Sequence, residues 1–285
     1  MTNFDREVAY YDAVWASAEV SASEESRIRQ ILRMVPADVE TVLDVGCGDG
    51  RVTNRFPGHM DIVALDFSRE GLAHVKAPKI MSHTHALPFA DNSFDLVLIA
   101  DVLEHLKPDE FCETLQEIKR VARTYILINS PNREKLSEAR AECQTCRNTF
   151  HMNLHVRSLS PAWIQKAFAD TFAARTVRFS EERWPYQNII ITILKHHLFR
   201  EYRYFHMAMC PHCGSKLQKR NVGRLALRCL NVLALLNSGI AIARKFIGMK
   251  DGSVEFFVLL QRRQLTRSLG PGNSATMQGK VGDCS

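Results

Sequence analysis

Four short apolar runs, TVLDVG (41–46), DIVALD (61–66), FDLVLIAD (94–101) and TYILINS (124–130), recur with helix-length connections between them. Apolar runs of this length without polar alternation suit strands buried on both faces, the condition of a parallel sheet. The connection PDEFCETLQEIKRVA (108–122) is long enough to be a crossover helix. This rhythm restricts the chain to an α/β fold built on a doubly wound sheet. Composition agrees, since 46% hydrophobic and 24% charged residues are globular proportions that exclude a fully disordered chain.

The segments around this unit are organised differently. Residues 1–39 read as an N-terminal helical lid: Tyr10, Tyr11, Val14 and Trp15 come first, then a capping box at Ser21-Ala-Ser-Glu ahead of Ile28, Ile31, Leu32 and Val35. Packing without a lid role is the alternative for the aromatics. Residues 40–182 and 251–263 form the main domain, with a helix over 161–172, a strand over 175–180 and a returning last strand in VEFFVLLQRR (254–263). Residues 183–250 read as an insertion, aromatic-rich at first, then a CPHCG turn and a long apolar helix over 222–247. The Gly, Ser and Pro content of 268–285 predicts a disordered tail.

The formal net charge of +6 permits an anionic partner without demanding one. Lys and Arg are scattered rather than clustered with interleaved aromatics, which argues against a nucleic-acid stacking platform. No run reaches the ~18–20 apolar residues of a membrane span, and the polar start MTNFDREVAYYD lacks signal-peptide character. The expected location is therefore cytoplasmic, where eight cysteines suggest metal sooner than disulfide.

In VLDVGCGDG (42–50) a strand runs into a glycine-rich turn, and Asp66 ends the next strand, where a carboxylate can accept hydrogen bonds from both hydroxyls of a ribose. An NAD fingerprint would want a third glycine at position 51, where this chain has Arg51. DVGCGDG resembles the first motif of class I S-adenosylmethionine-dependent methyltransferases. LPFADNSFDLVLIADVLEHL (87–106), ILINSPNR (126–133) and HVRSLSPAWI (155–164) are similar to later segments of their small-molecule branch. The resemblance covers roughly 40–180 and the last strand, and implies a Rossmann-like seven-stranded sheet whose last strand is antiparallel. It implies that Asp44 and the turn Gly46, Cys47, Gly48 and Gly50 face the methionyl moiety of S-adenosyl-L-methionine. Asp66 followed by Phe67 would face the ribose, with Ala100 and Asp101 near the methionine. Relatives carry Asp-Ala four residues before the LPF leucine; His83-Thr84 stands here, leaving a Thr84 backbone amide for adenine but no carboxylate.

Methyl transfer is an in-line displacement that needs a base only if the acceptor must lose a proton. His105, after the fourth strand, is the candidate base; the alternative is that Glu104-His105-Leu106 merely starts the next helix. Asp101-x-x-Glu104-His105 with His151 or His155 also resembles the metal-binding acid–histidine set of small-RNA 2′-O-methyltransferases, with Asp101 where those have Glu. Cys143-x-x-Cys146 and Cys210-x-x-Cys213 are two knuckles that together suit one structural Zn2+, pinning the loop after the fifth strand to the insertion. A redox pair or unrelated thiols are the alternatives. Helix 222–247 is apolar over so much of its surface that it must be covered, by the domain, by a second subunit or by a membrane interface.

The expectation is thus a methyltransferase acting on a small-molecule, sugar or lipid-linked acceptor. Its rivals are an RNA methyltransferase and a cofactor-binding fold without turnover.

Overall fold

The computed structural model describes residues 8–12, 15, 20–199, 202, 209–218, 224–247 and 252–263. The expected tail at 268–285 lies outside the described residues, as does much of the N-terminal segment. Helix α1 (Ala22–Met34) begins on Ser21, whose hydroxyl accepts from the Glu24 N–H while the Glu24 carboxylate accepts from the Ser21 N–H, the capping box read from sequence. Strands β1 (Thr41–Val45) and β2 (Asp61–Asp66) follow, then the short helix α2 (Arg69–Ala73), β3 (Lys79–Met81) and β4 (Phe94–Ala100). Helix α3 (Pro108–Val121), β5 (Ala122–Pro131) and a hairpin of β6 (Arg140–Glu142) and β7 (Thr149–His151) lead to α4 (Pro161–Phe168) and β8 (Phe172–Phe179). Helices α5 (Ile189–Phe199) and α6 (Arg224–Phe246) precede β9 (Glu255–Arg262).

One Rossmann-like seven-stranded sheet runs in the order β3-β2-β1-β4-β5-β9-β8. The first five strands are parallel, and β9 lies antiparallel between β5 and β8. Side chains alternate across the pleat, so both faces of the central strands must be covered. Leu43, Val45, Val97, Ile99, Ile126 and Ile128 pack with Phe111, Leu115 and Ile118 of α3 and with Ile164 and Phe168 of α4. Their neighbours Val42, Leu96, Leu98 and Leu127 pack on Ile31 and Met34 of α1. The sheet thereby fixes the carboxyl ends of β1, β2, β4 and β5 along one edge, where open α/β sheets bind ligands.

The helix expected over 161–172 stops at Phe168 because Phe172, fully buried in the core, already belongs to β8.

Candidate active site

The turn after β1 is shaped by what it must avoid. Gly46 takes φ +74, and a Cβ there would lie 2.4 Å from the Val102 side chain; Gly48 takes φ +54 with Trp15 2.6 Å from the same hypothetical atom. Only glycine fits such crowded left-handed positions. Asp66, buried at the end of β2, secures the turn: one carboxylate oxygen accepts from the Gly48 N–H at 2.8 Å and the other from the Ser68 N–H at 2.8 Å. Burial raises its pKa despite these donors. The Phe67 N–H also faces the carboxylate, which leaves it a lone pair for a ligand.

Asp44 sits beneath the turn and accepts from the Thr53 hydroxyl at 2.6 Å. Burial, with a further push from Asp66, raises it from 3.8 to about 7. The folded state therefore binds a proton more tightly than the unfolded chain, so this group withdraws stability as pH rises from about 4 to about 7. Asp44→Asn should flatten that part of the pH–stability curve; denaturant titrations between pH 5 and 8 check it, and an unchanged slope contradicts the assignment.

A first cavity of about 90 Å³ is lined by Gly46, Asp66, Phe67, Thr84, Asp101 and His105 among others, with Tyr11 and Trp15 closing it from the N-terminal segment. Phe67 and His83 present near-parallel rings with centroids 6.4 Å apart. Thr84 is buried and its hydroxyl bonds the Thr114 hydroxyl at 2.8 Å, so its side chain is spent on α3. The Cys47 thiol points back to the Gly48 carbonyl, and burial pushes its pKa up beyond any thiolate role. Ala100 ends β4, and Asp101 follows at φ 52, a region a non-glycine residue occupies only when its surroundings hold it there. The holding partner is Arg27 of α1, which pairs with both Asp101 and Glu255. The other Asp101 oxygen, Oδ1, is buried without a hydrogen bond.

A second, larger cavity of about 1270 Å³ adjoins the first, and Asp101 and His105 line both. His105 Nδ1 lies 2.9 Å from the Tyr11 hydroxyl, and its ring meets His155 edge-on at 4.6 Å. Burial, then the neighbouring His155 and His151, hold its pKa well below the ordinary value, so the ring is neutral.

Sequence reasoning missed Glu134, which organises this corner. His151 Nδ1 accepts from the backbone N–H of Asn153 and of His155, so its proton sits on Nε2 and is donated to Glu134 at 3.2 Å. The other Glu134 oxygen accepts from His155 Nδ1, so both imidazoles are anchored on one carboxylate. Burial opposes the Glu134 charge, yet the two imidazole donors lower its pKa to about 2. Glu104, 1% exposed, takes one hydrogen bond from Ser130 at 3.1 Å, while its Oε1 has none. Burial and nearby Asp101 push its carboxyl well above the usual range. Donor atoms of Glu104, His105 and His155 lie within 4.8 Å of one another.

The four knuckle cysteines also converge, with their Sγ atoms within 4.8 Å of one another. Cys143 and Cys213 are 3.5 Å apart and Cys146 and Cys210 are 3.6 Å apart. These are far beyond a disulfide's ~2.05 Å. They approach the ~3.8 Å edge of a thiolate tetrahedron around a cation at ~2.3 Å. Both turns close alike: Arg147 N–H donates to the Cys143 carbonyl at φ 64, and Gly214 N–H to the Cys210 carbonyl at φ 73.

A family model described as a methyltransferase domain matches residues 43–125, from β1 to the start of β5. An uncharacterized protein of Methanocaldococcus jannaschii is 39% identical over 84 residues, covering 29% of this chain and 36% of that protein. An uncharacterized methyltransferase of Schizosaccharomyces pombe is 32% identical over 103 residues, covering 30% of this chain and 36% of its own length. The chain thus spans about a third of the length of the curated relatives it matches. Among solved structures, 1,6-didemethyltoxoflavin-N1-methyltransferase of Burkholderia thailandensis, with bound 1,6-didemethyltoxoflavin and S-adenosylhomocysteine, superposes with a TM-score of 0.50 at 14% identity. That alignment covers 92% of this chain and 87% of that one, a likeness of fold. Together these findings support a methyltransferase domain on the sheet described above.

Proposed function

We propose that this chain is an S-adenosylmethionine-dependent methyltransferase whose acceptor, a small molecule, sugar or lipid-linked compound, occupies the larger cavity. The observation that carries the reading is that the two cavities share Asp101 and His105, with Tyr11 and Trp15, while Gly46 and Asp66 line the smaller one. The residues present suit the cofactor: a left-handed glycine turn admits close backbone approach, Asp66 keeps a lone pair for a ribose hydroxyl, and Asp101 Oδ1 is an unspent acceptor. When bound, the cofactor supplies an electrophilic methyl group. Tyr11 and Trp15 act as a lid that a nucleoside-sized ligand displaces, consistent with their closure of the smaller cavity.

His105 then acts as the base for an acceptor that must shed a proton, because its neutral ring reaches both cavities. A second reading is favoured by the orphaned Glu104 Oε1. Glu104, His105 and His155 would hold a divalent cation, with Glu134 orienting His155 as a carboxylate behind a metal-bound imidazole does. Zinc at Cys143, Cys146, Cys210 and Cys213 would be structural, since four protein thiolates leave no open position.

The testing experiment incubates purified protein with labelled S-adenosylmethionine and fractionated cell extract. Label in the small-molecule or lipid fraction supports the reading, label in RNA favours the nucleic-acid rival, and no transfer favours a binding fold without turnover. In parallel, Asp66→Ala should weaken S-adenosylhomocysteine binding by a factor on the order of 10–100, from charge-assisted hydrogen bonds worth ~1.5–3 kcal/mol. Calorimetry decides it, and unchanged affinity in a folded variant removes the site.

A further inference from the structure

Helix α6 is turned inside out. Its stripe toward the domain holds Ala226, Leu230, Leu233, Asn237, Ala241 and Arg244, the positions with reduced exposure. The polar members of that stripe are spent on the protein: Asn237 Nδ2 donates to the Tyr186 carbonyl at 2.9 Å, its Oδ1 accepts from the Asn188 N–H at 2.8 Å, and Arg244 stacks over the Tyr186 ring at 4.4 Å. The outward side carries the apolar residues. Leu225 is 77% exposed, Val232 55%, Leu236 55% and Ile247 74%. At 3.6 residues per turn these fall within about a sixth of the circumference. Leu235, Ile242 and Phe246 extend it, and α5, packed on α6, exposes Ile190 and Leu198 as well.

Charge narrows the choice of what covers this surface. Between residues 202 and 250 the sequence has nine Lys and Arg and no Asp or Glu, more positive charge than the chain's whole +6. Exposed Arg228 and Lys245 flank the apolar stretch near the two ends of the helix. A second copy would bring the same cations against each other and, by twofold contact, would cover one stripe while leaving the rest in water. An anionic bilayer surface accepts both the broad apolar side and the cations.

We propose that α5 and α6 seat the protein on the surface of an anionic lipid bilayer, with α6 lying in the interface plane. Length and composition alone would let α6 cross a membrane. The Asn237 and Arg244 contacts instead hold it along the domain. Tyr186 and Arg244 also line the larger cavity, so seating the helix brings that cavity to the lipid headgroups. Arg133, exposed at the cavity with no acidic partner among the described residues, suits an anionic headgroup there. If the chain transfers methyl groups as proposed, the acceptor is accordingly an amphiphile taken from the bilayer surface.

The test uses the full chain and sucrose-loaded vesicles of phosphatidylcholine with or without phosphatidylglycerol. Co-sedimentation with the anionic vesicles, weakening as salt rises, is expected. The double variant Val232→Gln, Leu236→Gln should bind them on the order of 10²-fold less while keeping its S-adenosylhomocysteine affinity and circular dichroism. Wild-type protein remaining in the supernatant overturns the proposal. So does a variant that binds like wild type, a dimer in sedimentation velocity that the variant dissociates without any vesicle binding, or binding to an RNA oligonucleotide but not to vesicles. Wild-type protein that binds vesicles but not S-adenosylhomocysteine upholds the docking and counts against methyl transfer.

Discussion

His105→Ala should lower the rate of label transfer from S-adenosylmethionine by roughly 10²–10⁴, the span of positioned proton transfer, while S-adenosylhomocysteine affinity changes little. His105 lines both cavities beside Tyr11, its ring is neutral at working pH, and the Tyr11 hydroxyl fixes its Nδ1 side. A purely structural role predicts a different signature, a lower melting temperature with transfer rate intact. Glu104→Gln and a chelator separate the two chemical readings. If Glu104, His105 and His155 hold a cation, chelation of wild-type protein reproduces the His105→Ala loss and added divalent metal restores it. If His105 works alone as a base, Glu104→Gln leaves the metal content and the rate nearly unchanged, and the chelator acts only through the cysteine site.

The second large effect belongs to the knuckles. Purified protein should carry about one zinc per chain, and Cys143→Ser and Cys210→Ser should each abolish it, because one tetrahedral site draws thiolates from both turns. Binding free energy of ~10–16 kcal/mol in comparable peptide sites is large against a domain's total stability. Without metal, the β6–β7 hairpin and the 209–218 turn lose the bond between them. Their remaining shared core is the cluster of Tyr10, Ala141, Phe150 and Leu217 around the cysteines. Limited proteolysis should therefore cut this lobe first, while S-adenosylhomocysteine binding persists. Zinc retained by either variant would show that the two turns are not one site.

The central strands were legible because burial on both faces leaves unbroken apolar runs, and β1, β2 and β4 match those runs to within a residue. The glycine turn and the cysteines were legible because local geometry demands specific residues at fixed spacing. Strand β3 was not: three residues at the sheet edge, with Lys79 and Met81 exposed, carry no burial pattern. Helix α5 hid in the continuous run IIITIL, which has no period to distinguish helix from strand. Glu134 could not be found from its surroundings, a polar stretch after β5. Its role appears only when the β6–β7 hairpin and the loop after it fold back to bring His151 and His155 against it.

The placement of β9 governs how this chain can be made. Tyr125 of β5 pairs with Gln261, and Ala173 of β8 with the same residue, so a strand near the end of the sequence fills the gap between two made long before it. During synthesis the amino-terminal half cannot close its sheet as it emerges. Until residues 255–262 leave the ribosome, β5 and β8 each present an unpaired edge that could recruit another chain. Loop-closure entropy grows only slowly with length, so the long excursion between β8 and β9 adds little to the thermodynamic cost. Its burden is one of time, a nascent chain exposed through the whole translation of 183–252, including its apolar helices.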